Sequence, residues 1–348
     1  MTLKRIALRN FRNIASSVFQ FNPFASVIVG KNSVGKTNLL ESIFFLCEGS
    51  GFREIRQEEL VGKKGSELDI EGEFQDENTQ TLARIHLKIG NEKNEKTFLI
   101  NKTKKRFFNY IQLVPPVGIF SPSFMYLIDG QPSQRRHFVD RILSKIDADY
   151  RHRLANYETG LRKRNKLIQK APSMDELKDQ LPFWDHYLVE QANYIVSQRL
   201  FFEKYFNDNK NVDNKSFSIN YVSNEISFKT LAETMEKQFF LKKTLVGPQR
   251  DEFNIFLETG EEKKNIHKFG SRSEQRLSLL WMVMLEIKLY HDKLLRRPLL
   301  LLDDIFSELD IENRALILRL IKNHQTIITT TDKQIADLLE VPYSLIEL

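Results

Sequence analysis

The chain has 348 residues, 41% of them hydrophobic, and sets 52 Lys and Arg against 46 Asp and Glu for a net charge of +6. That length supports about two domains with real cores, and balanced charge alongside 26 Phe and 10 Tyr excludes a disordered chain. The single cysteine, Cys47, excludes a disulfide framework and a four-cysteine zinc site and points to a reducing compartment, while no stretch reaches the roughly 20 apolar residues that span a bilayer. Residues 1–10 also lack the apolar segment of a signal peptide, so a cytoplasmic protein with no membrane partner is expected.

In chain order, residues 3–8 alternate loosely and predict a strand. Ser26-Val27-Ile28-Val29 then runs unbroken into glycine, as does a strand buried on both faces of a parallel sheet. Directly after it, Gly30-Lys31-Asn32-Ser33-Val34-Gly35-Lys36-Thr37 fits the P-loop pattern G-x-x-x-x-G-K-[ST]. The chemistry needs that spacing. The glycines let backbone N–H groups face phosphates, Lys36 reaches the β- and γ-phosphates, and the Thr37 hydroxyl is offered to magnesium. Residues 38–44 open a helix, as the motif requires.

From 67 to 100 the pattern turns to period two: Ala83, Ile85, Leu87 and Ile89 alternate with Arg84, His86 and Lys88, predicting antiparallel strands with one wet face. Pro115-Pro116 and Ser121-Pro122-Ser123 mark a boundary. Residues 124–243 read as an inserted, mainly helical domain broken at Pro172 and Pro182, with 207–224 left unassigned. Within it, residues 133–172 hold eleven basic and four acidic side chains, a local charge of +7. Such a surface suits a polyanion, with Arg162, Lys163 and Arg164 as candidate DNA contacts; the competing reading is an ordinary solvated helix face.

After Gly247-Pro248 the pattern returns to strand, helix, strand: 253–257 alternate, 277–290 are apolar at helical density, and 299–302 and 326–329 read as core strands. Leu299-Leu300-Leu301-Leu302-Asp303-Asp304 ends a core strand on two carboxylates, the form of the second magnesium ligand that a P-loop needs. Asp303 would hold the metal through water, and Asp304 could orient or deprotonate the attacking water. Ser271 and Glu274 form a capping box ahead of the apolar helix, and a serine at a helix amino end is also how a second subunit would present a hydroxyl to a γ-phosphate. The expected fold is α/β: residues 1–122 and 245–348 make an ATPase head, and 123–244 an inserted helical arm.

These islands together resemble the RecF family of bacterial recombination mediators, within the wider class of ABC-type ATPases that includes SMC and Rad50 heads. The resemblance is carried by Leu8-Arg9-Asn10-Phe11-Arg12-Asn13, the P-loop, Phe120-Ser121-Pro122, Gly130-Gln131-Pro132-Ser133-Gln134-Arg135-Arg136, Arg164-Asn165, Gly247-Pro248-Gln249-Arg250-Asp251, residues 271–276, Asp303-Asp304 with Ser307-Glu308-Leu309-Asp310, and Thr329-Thr330-Thr331-Asp332, in family order. It implies an ATP- and Mg2+-dependent clamp in which two copies sandwich ATP on duplex DNA near single-strand gaps. Lys36, Thr37, Asp303 and Asp304 would act in cis, Ser271 in trans, and Arg12 at the nucleotide. RecO and RecR would be partners, and the recombinase would be loaded on the exposed strand.

Four positions, at three places, depart from the family pattern. Ser273 and Glu274 stand for a glycine and a glutamine of the signature loop, which questions its geometry because serine adopts positive φ less freely than glycine. Gln249 stands where histidine is common, and Thr331 where ABC transporters carry a switch histidine. The alternative function is a phosphotransferase or nuclease-linked ATPase, which would need a further catalytic cluster. The histidines of this sequence are scattered without metal-ligand spacing.

Overall fold

A computed structural model describes the chain except residues 54, 55, 64, 213, 261, 309 and 310 and the side chains of 307, 308 and 311–313. Leu309 and Asp310, quoted above for the resemblance, lie outside the described residues. The chain divides into two compact units, one of Met1–Phe124 with Leu279–Leu348 and one of Met125–Ser278.

In the first unit, a five-stranded sheet runs Tyr343–Glu347, Ala25–Val29, Thr326–Thr330, Leu299–Asp303, Val117–Phe120, with every neighbouring pair parallel. Its three inner strands are buried at every residue, which is why their sequences are runs of apolar and β-branched residues, with Ser26 and three threonines among them, rather than apolar–polar alternations. A second sheet of six antiparallel strands uses Thr2–Phe11, Ile14–Gln20, Glu67–Gln75, Gln80–Lys88, Glu95–Ile100 and Thr103–Lys105. Here burial alternates along the strands, as the period-two pattern of 67–100 predicts. The helix Lys36–Glu48 touches strands of both sheets and is buried through most of its length, so its sequence is apolar nearly all round. This sandwiching fixes the helix whose amino end carries the P-loop.

The second unit is built on the helices Pro132–Ile146, Ala148–Lys170 and Pro182–Asp208. It also holds a four-stranded antiparallel sheet, of which the sequence predicts only the strand at 253–257: Lys215–Val222 pairs with Glu252–Thr259, from Ser216 opposite Glu258 to Val222 opposite Glu252. That pairing is why 245–278, read from sequence as the return to the head, group with the inserted unit. Buried Arg199 is its electrostatic centre. It pairs with Asp140 at 2.9 Å and Asp251 at 2.6 Å and donates to the Pro248 carbonyl at 2.8 Å. Tyr150 and Tyr221 donate to the same two carboxylates. Burial, then the Asp140 charge, hold the Tyr150 phenol well above its usual range, so it stays a donor. Among the described residues, no helix is long and apolar enough to cross a membrane.

Candidate nucleotide site

Three parallel strand ends assemble one carboxylate site. Because Leu302 lies opposite both Phe120 and Ile328, the residues just beyond converge: Asp303, Ser121 and Thr329. Asp303, nearly buried, accepts from Thr37 Oγ1 at 2.9 Å and Thr329 Oγ1 at 2.8 Å on one oxygen, and from Ser121 Oγ at 2.9 Å on the other. Neutral hydroxyl donors hold its carboxylate in place without cancelling its charge. The next residue, Asp304, takes φ 49°, the left-handed region, while its N–H donates to the Thr329 carbonyl at 3.1 Å. Aspartate tolerates this conformation better than most residues. The turn leaves the second carboxylate lining the same pocket.

The P-loop closes the other side. Gly35 has φ +119°, a conformation closed to most side chains, and a Cβ there would also meet the Asn13 amide at 3.0 Å. Gly30 is tight for a different reason: its Cβ would lie 2.7 Å from the Leu348 carbonyl oxygen. Lys36 Nζ folds back on the Gly30 and Lys31 carbonyls at 2.7 and 2.9 Å. The helix Lys36–Glu48 has no acidic residue in its first turn, so nothing on the helix competes with a phosphate for its positive end. The cavity so formed encloses about 300 Å³, and Asn32, Ser33, Gly35, Lys36, Thr37, Asp303 and Asp304 are among its walls.

Of the other residues assigned to ATP from sequence, Gly30 and Lys31 contribute carbonyls to Lys36, and Val34 is exposed with its carbonyl bound by Asn13 at 3.2 Å. Arg12 is not in the cavity wall. Its guanidinium grips buried Glu41 through both Nε and NH2, the latter at 3.0 Å. The arginine that lines the cavity is Arg53, held by the same Glu41 at 2.8 Å and by Asn38. No local motif marks Arg53; the only hint in sequence is the glutamate inside an apolar helix, which a buried site must neutralise. Arg53→Ala is therefore expected to weaken ATP binding about tenfold, the worth of one charge-assisted bond, while Arg12→Ala mainly lowers the melting temperature. Calorimetry with ATP and thermal melts of both variants would show the reverse ranking if Arg12 were the nucleotide ligand.

The donor set fits magnesium: hard oxygens, one carboxylate and one hydroxyl side by side, with room for waters and phosphate oxygens. Among the described residues no cluster of three or more His, Cys, Asp or Glu that could hold a metal forms, here or elsewhere. Thr331 also lines the cavity.

In the second unit Ser271 caps the helix Arg272–Leu294 as its spacing predicts: Ser271 N donates to Glu274 at 2.7 Å and Glu274 N to Ser271 Oγ at 3.3 Å. Ser273 is inside the first helical turn and not among the residues with positive φ, so its serine costs no backbone strain. Glu274 has a second role in binding Lys264 at 2.7 Å. Gln249 is engaged by Tyr157 and donates to the Val246 carbonyl at 2.8 Å.

The candidate DNA contacts separate. Arg162 and Lys163 are exposed on the helix Ala148–Lys170, but Arg164 is fully buried, paired with Asp185 at 2.7 Å and bonded to Gln238 and Thr244. Arg164 is thus corrected from a DNA contact to an internal clamp, because a buried, neutralised guanidinium offers no charge to a phosphate. Arg135, Lys145 and Arg151 are also buried, so much of the +7 segment never reaches solvent.

The RecF/RecN/SMC N terminal domain family model matches residues 2–347. The chain is 32% identical to the DNA replication and repair protein RecF of Ligilactobacillus salivarius (strain UCC118), over 95% of this chain and 91% of that one. It is 31% identical to RecF of Clostridioides difficile (strain 630), over 95% and 92%. Among solved structures, the recombination mediator protein RecF-ATP in the RecFOR pathway aligns with a TM-score of 0.86 at 25% identity, covering 99% of this chain and 95% of that one. An Smc head domain derived from Pyrococcus furiosus shares the fold, with a TM-score of 0.53 at 17% identity over 97% and 91%. The chain belongs to the RecF/RecN/SMC N-terminal domain family, and within it to the RecF proteins, with the ABC-type ATPase head fold.

Proposed function

We propose that this RecF-family chain is an ATP-switched DNA-binding protein of replication and recombinational repair. Two copies close on ATP, grip duplex DNA beside a single-strand gap, and release it after hydrolysis; RecR and RecO are the partners, and loading of the recombinase is the outcome. The observation that carries the reading is the convergence of Lys36, Thr37, Asp303 and Asp304 on one phosphate-sized cavity in a chain whose solved relatives include RecF-ATP.

In this reading Lys36 Nζ exchanges its two loop carbonyls for β- and γ-phosphate oxygens, and the P-loop N–H groups take the rest of the charge. Thr37 and Asp303 hold Mg2+, which when bound neutralises charge on the phosphates. Asp304 orients the attacking water and accepts its proton as the new oxygen–phosphorus bond forms and the β–γ bridge breaks. Ser271 of the other copy caps the γ-phosphate with its hydroxyl and helix end, so hydrolysis waits for closure.

Light scattering tests the closure. With ATP, the Asp304→Asn protein should double its mass, and adding Ser271→Arg should keep it monomeric through bulk and charge. Mass that stays monomeric in ATP at every protein concentration for both the unmutated chain and Asp304→Asn would rule out the sandwich and leave a monomeric ATPase.

A further inference from the structure

A second concavity, in the unit Met125–Ser278, encloses about 510 Å³ and is walled from three distant stretches: the start of the helix Pro132–Ile146, Asn165, and residues 243–252. Two of those stretches hold exposed or half-exposed cations that line it, Arg136, Lys243 and Arg250. The one carboxylate in the wall, Glu252, is bound by Arg135 at 3.1 Å. Lys243 and Arg250 have no acidic partner among the described residues. Arg136 is held by one bond from NH1 to the Asp251 carbonyl at 2.8 Å.

Two further features add to this excess of positive charge. The helix Pro132–Ile146 points its amino end at the pocket, has no acidic residue in its first turn, and carries Arg136 just beyond that turn. Cations at that end are opposed by the helix dipole unless an anion joins them. Burial, and then the neighbouring Arg199 charge, push the Arg136 guanidinium below its usual range, against the opposing pull of Asp140, Asp251 and Glu252.

The charge also continues outward. Leu161 and Asn165 line the pocket one turn apart, and one position further round the same helix stand Arg162 and Lys166, both exposed, with Lys170 a turn beyond. Cations at one-turn spacing leading from a cationic pocket suit a polymeric anion with regularly spaced charges better than an isolated one. We propose that this pocket and stripe hold a nucleic-acid sugar-phosphate backbone, one phosphate between Arg136, Lys243 and Arg250 and its neighbours on Arg162 and Lys166. The proposal rests on the reading of the chain as DNA-binding and replaces the buried Arg164 with a different set of contacts.

The test compares full-length protein with Lys243→Ala/Arg250→Ala, Arg162→Ala/Lys166→Ala, and a control, Lys88→Ala/Lys104→Ala, that removes two exposed charges from the first unit. Binding to a duplex is followed across salt concentrations, with thermal melts to verify folding. Each lost phosphate contact should reduce the log–log salt slope by about 0.9, so both test variants should fall by roughly 2 while the control changes by less than about 0.5. Absence of salt-dependent duplex binding in the unmutated protein would defeat the DNA-binding reading itself. Unmutated binding with an unchanged slope in Lys243→Ala/Arg250→Ala would overturn the pocket alone. Polyglutamate that binds more tightly than duplex, and is lost in that same variant, would assign the pocket to an acidic protein segment and likewise overturn the proposal.

Discussion

Lys36→Ala is expected to weaken ATP binding by roughly 100-fold or more, because the ammonium supplies two charge-assisted contacts to phosphate worth about 1.5–3 kcal/mol each. The fold should survive. Lys36 Nζ bonds only the Gly30 and Lys31 carbonyls, at the wall of a cavity where water can replace it, so no buried group is orphaned. Titration calorimetry with ATP, alongside a thermal melt, separates the two effects. An affinity within about threefold of the unmutated chain, well under 1 kcal/mol, would sink the P-loop assignment.

Arg199→Met should have the largest effect on stability. The methionine fills much of the space but leaves Asp140 and Asp251 without their counter-ion, and Asp251 is fully buried. Breaking a buried pair from one side costs about 3–5 kcal/mol. For a unit of this size that lowers the melting temperature by roughly 10 °C. Adding Asp251→Asn to the same chain should recover part of the loss but not all of it, because the stranded charge is removed while the single amide oxygen can accept from Tyr221 or from Asn224 N–H and not from both. A fall of less than about 2 °C would mean that water solvates the site and the network is not the centre of the unit.

Much of the candidate site could be read from sequence because each part is local: the P-loop is one turn between a strand and a helix, and Asp303 and Asp304 end a run of four leucines; the cap made by Ser271 and Glu274 in the second unit, three residues apart, is local too. Ser121 and Arg53 were not assigned to it because only tertiary structure brings them in. Ser121 reaches Asp303 through parallel register with a strand more than a hundred residues away. Arg164 was misread although its position was legible. Tyr157, Gly160, Arg164 and Ile168 are buried at helical spacing, and counting charge along the chain ignored that period. The hairpin strand Lys215–Val222 was legible too, since Phe217, Ile219 and Tyr221 alternate, but the helix-rich composition around it hid the signal.

The order of strands in the parallel sheet sets a timetable for synthesis. Ala25–Val29, which leads into the P-loop, finds both of its partners in Thr326–Thr330 and Tyr343–Glu347, about three hundred residues later. At ribosomal rates of about 5–20 residues per second, the completed P-loop waits roughly 15–60 s for its sheet. Throughout that interval Ser26-Val27-Ile28-Val29 is an unpaired, β-branched and mostly apolar strand, the kind of segment that associates with other chains. The unit Met125–Ser278 is complete well before then and can fold in the meantime. The yield of active protein from cells should therefore depend more on chaperones and slow, cool expression than the stability of the finished molecule would suggest.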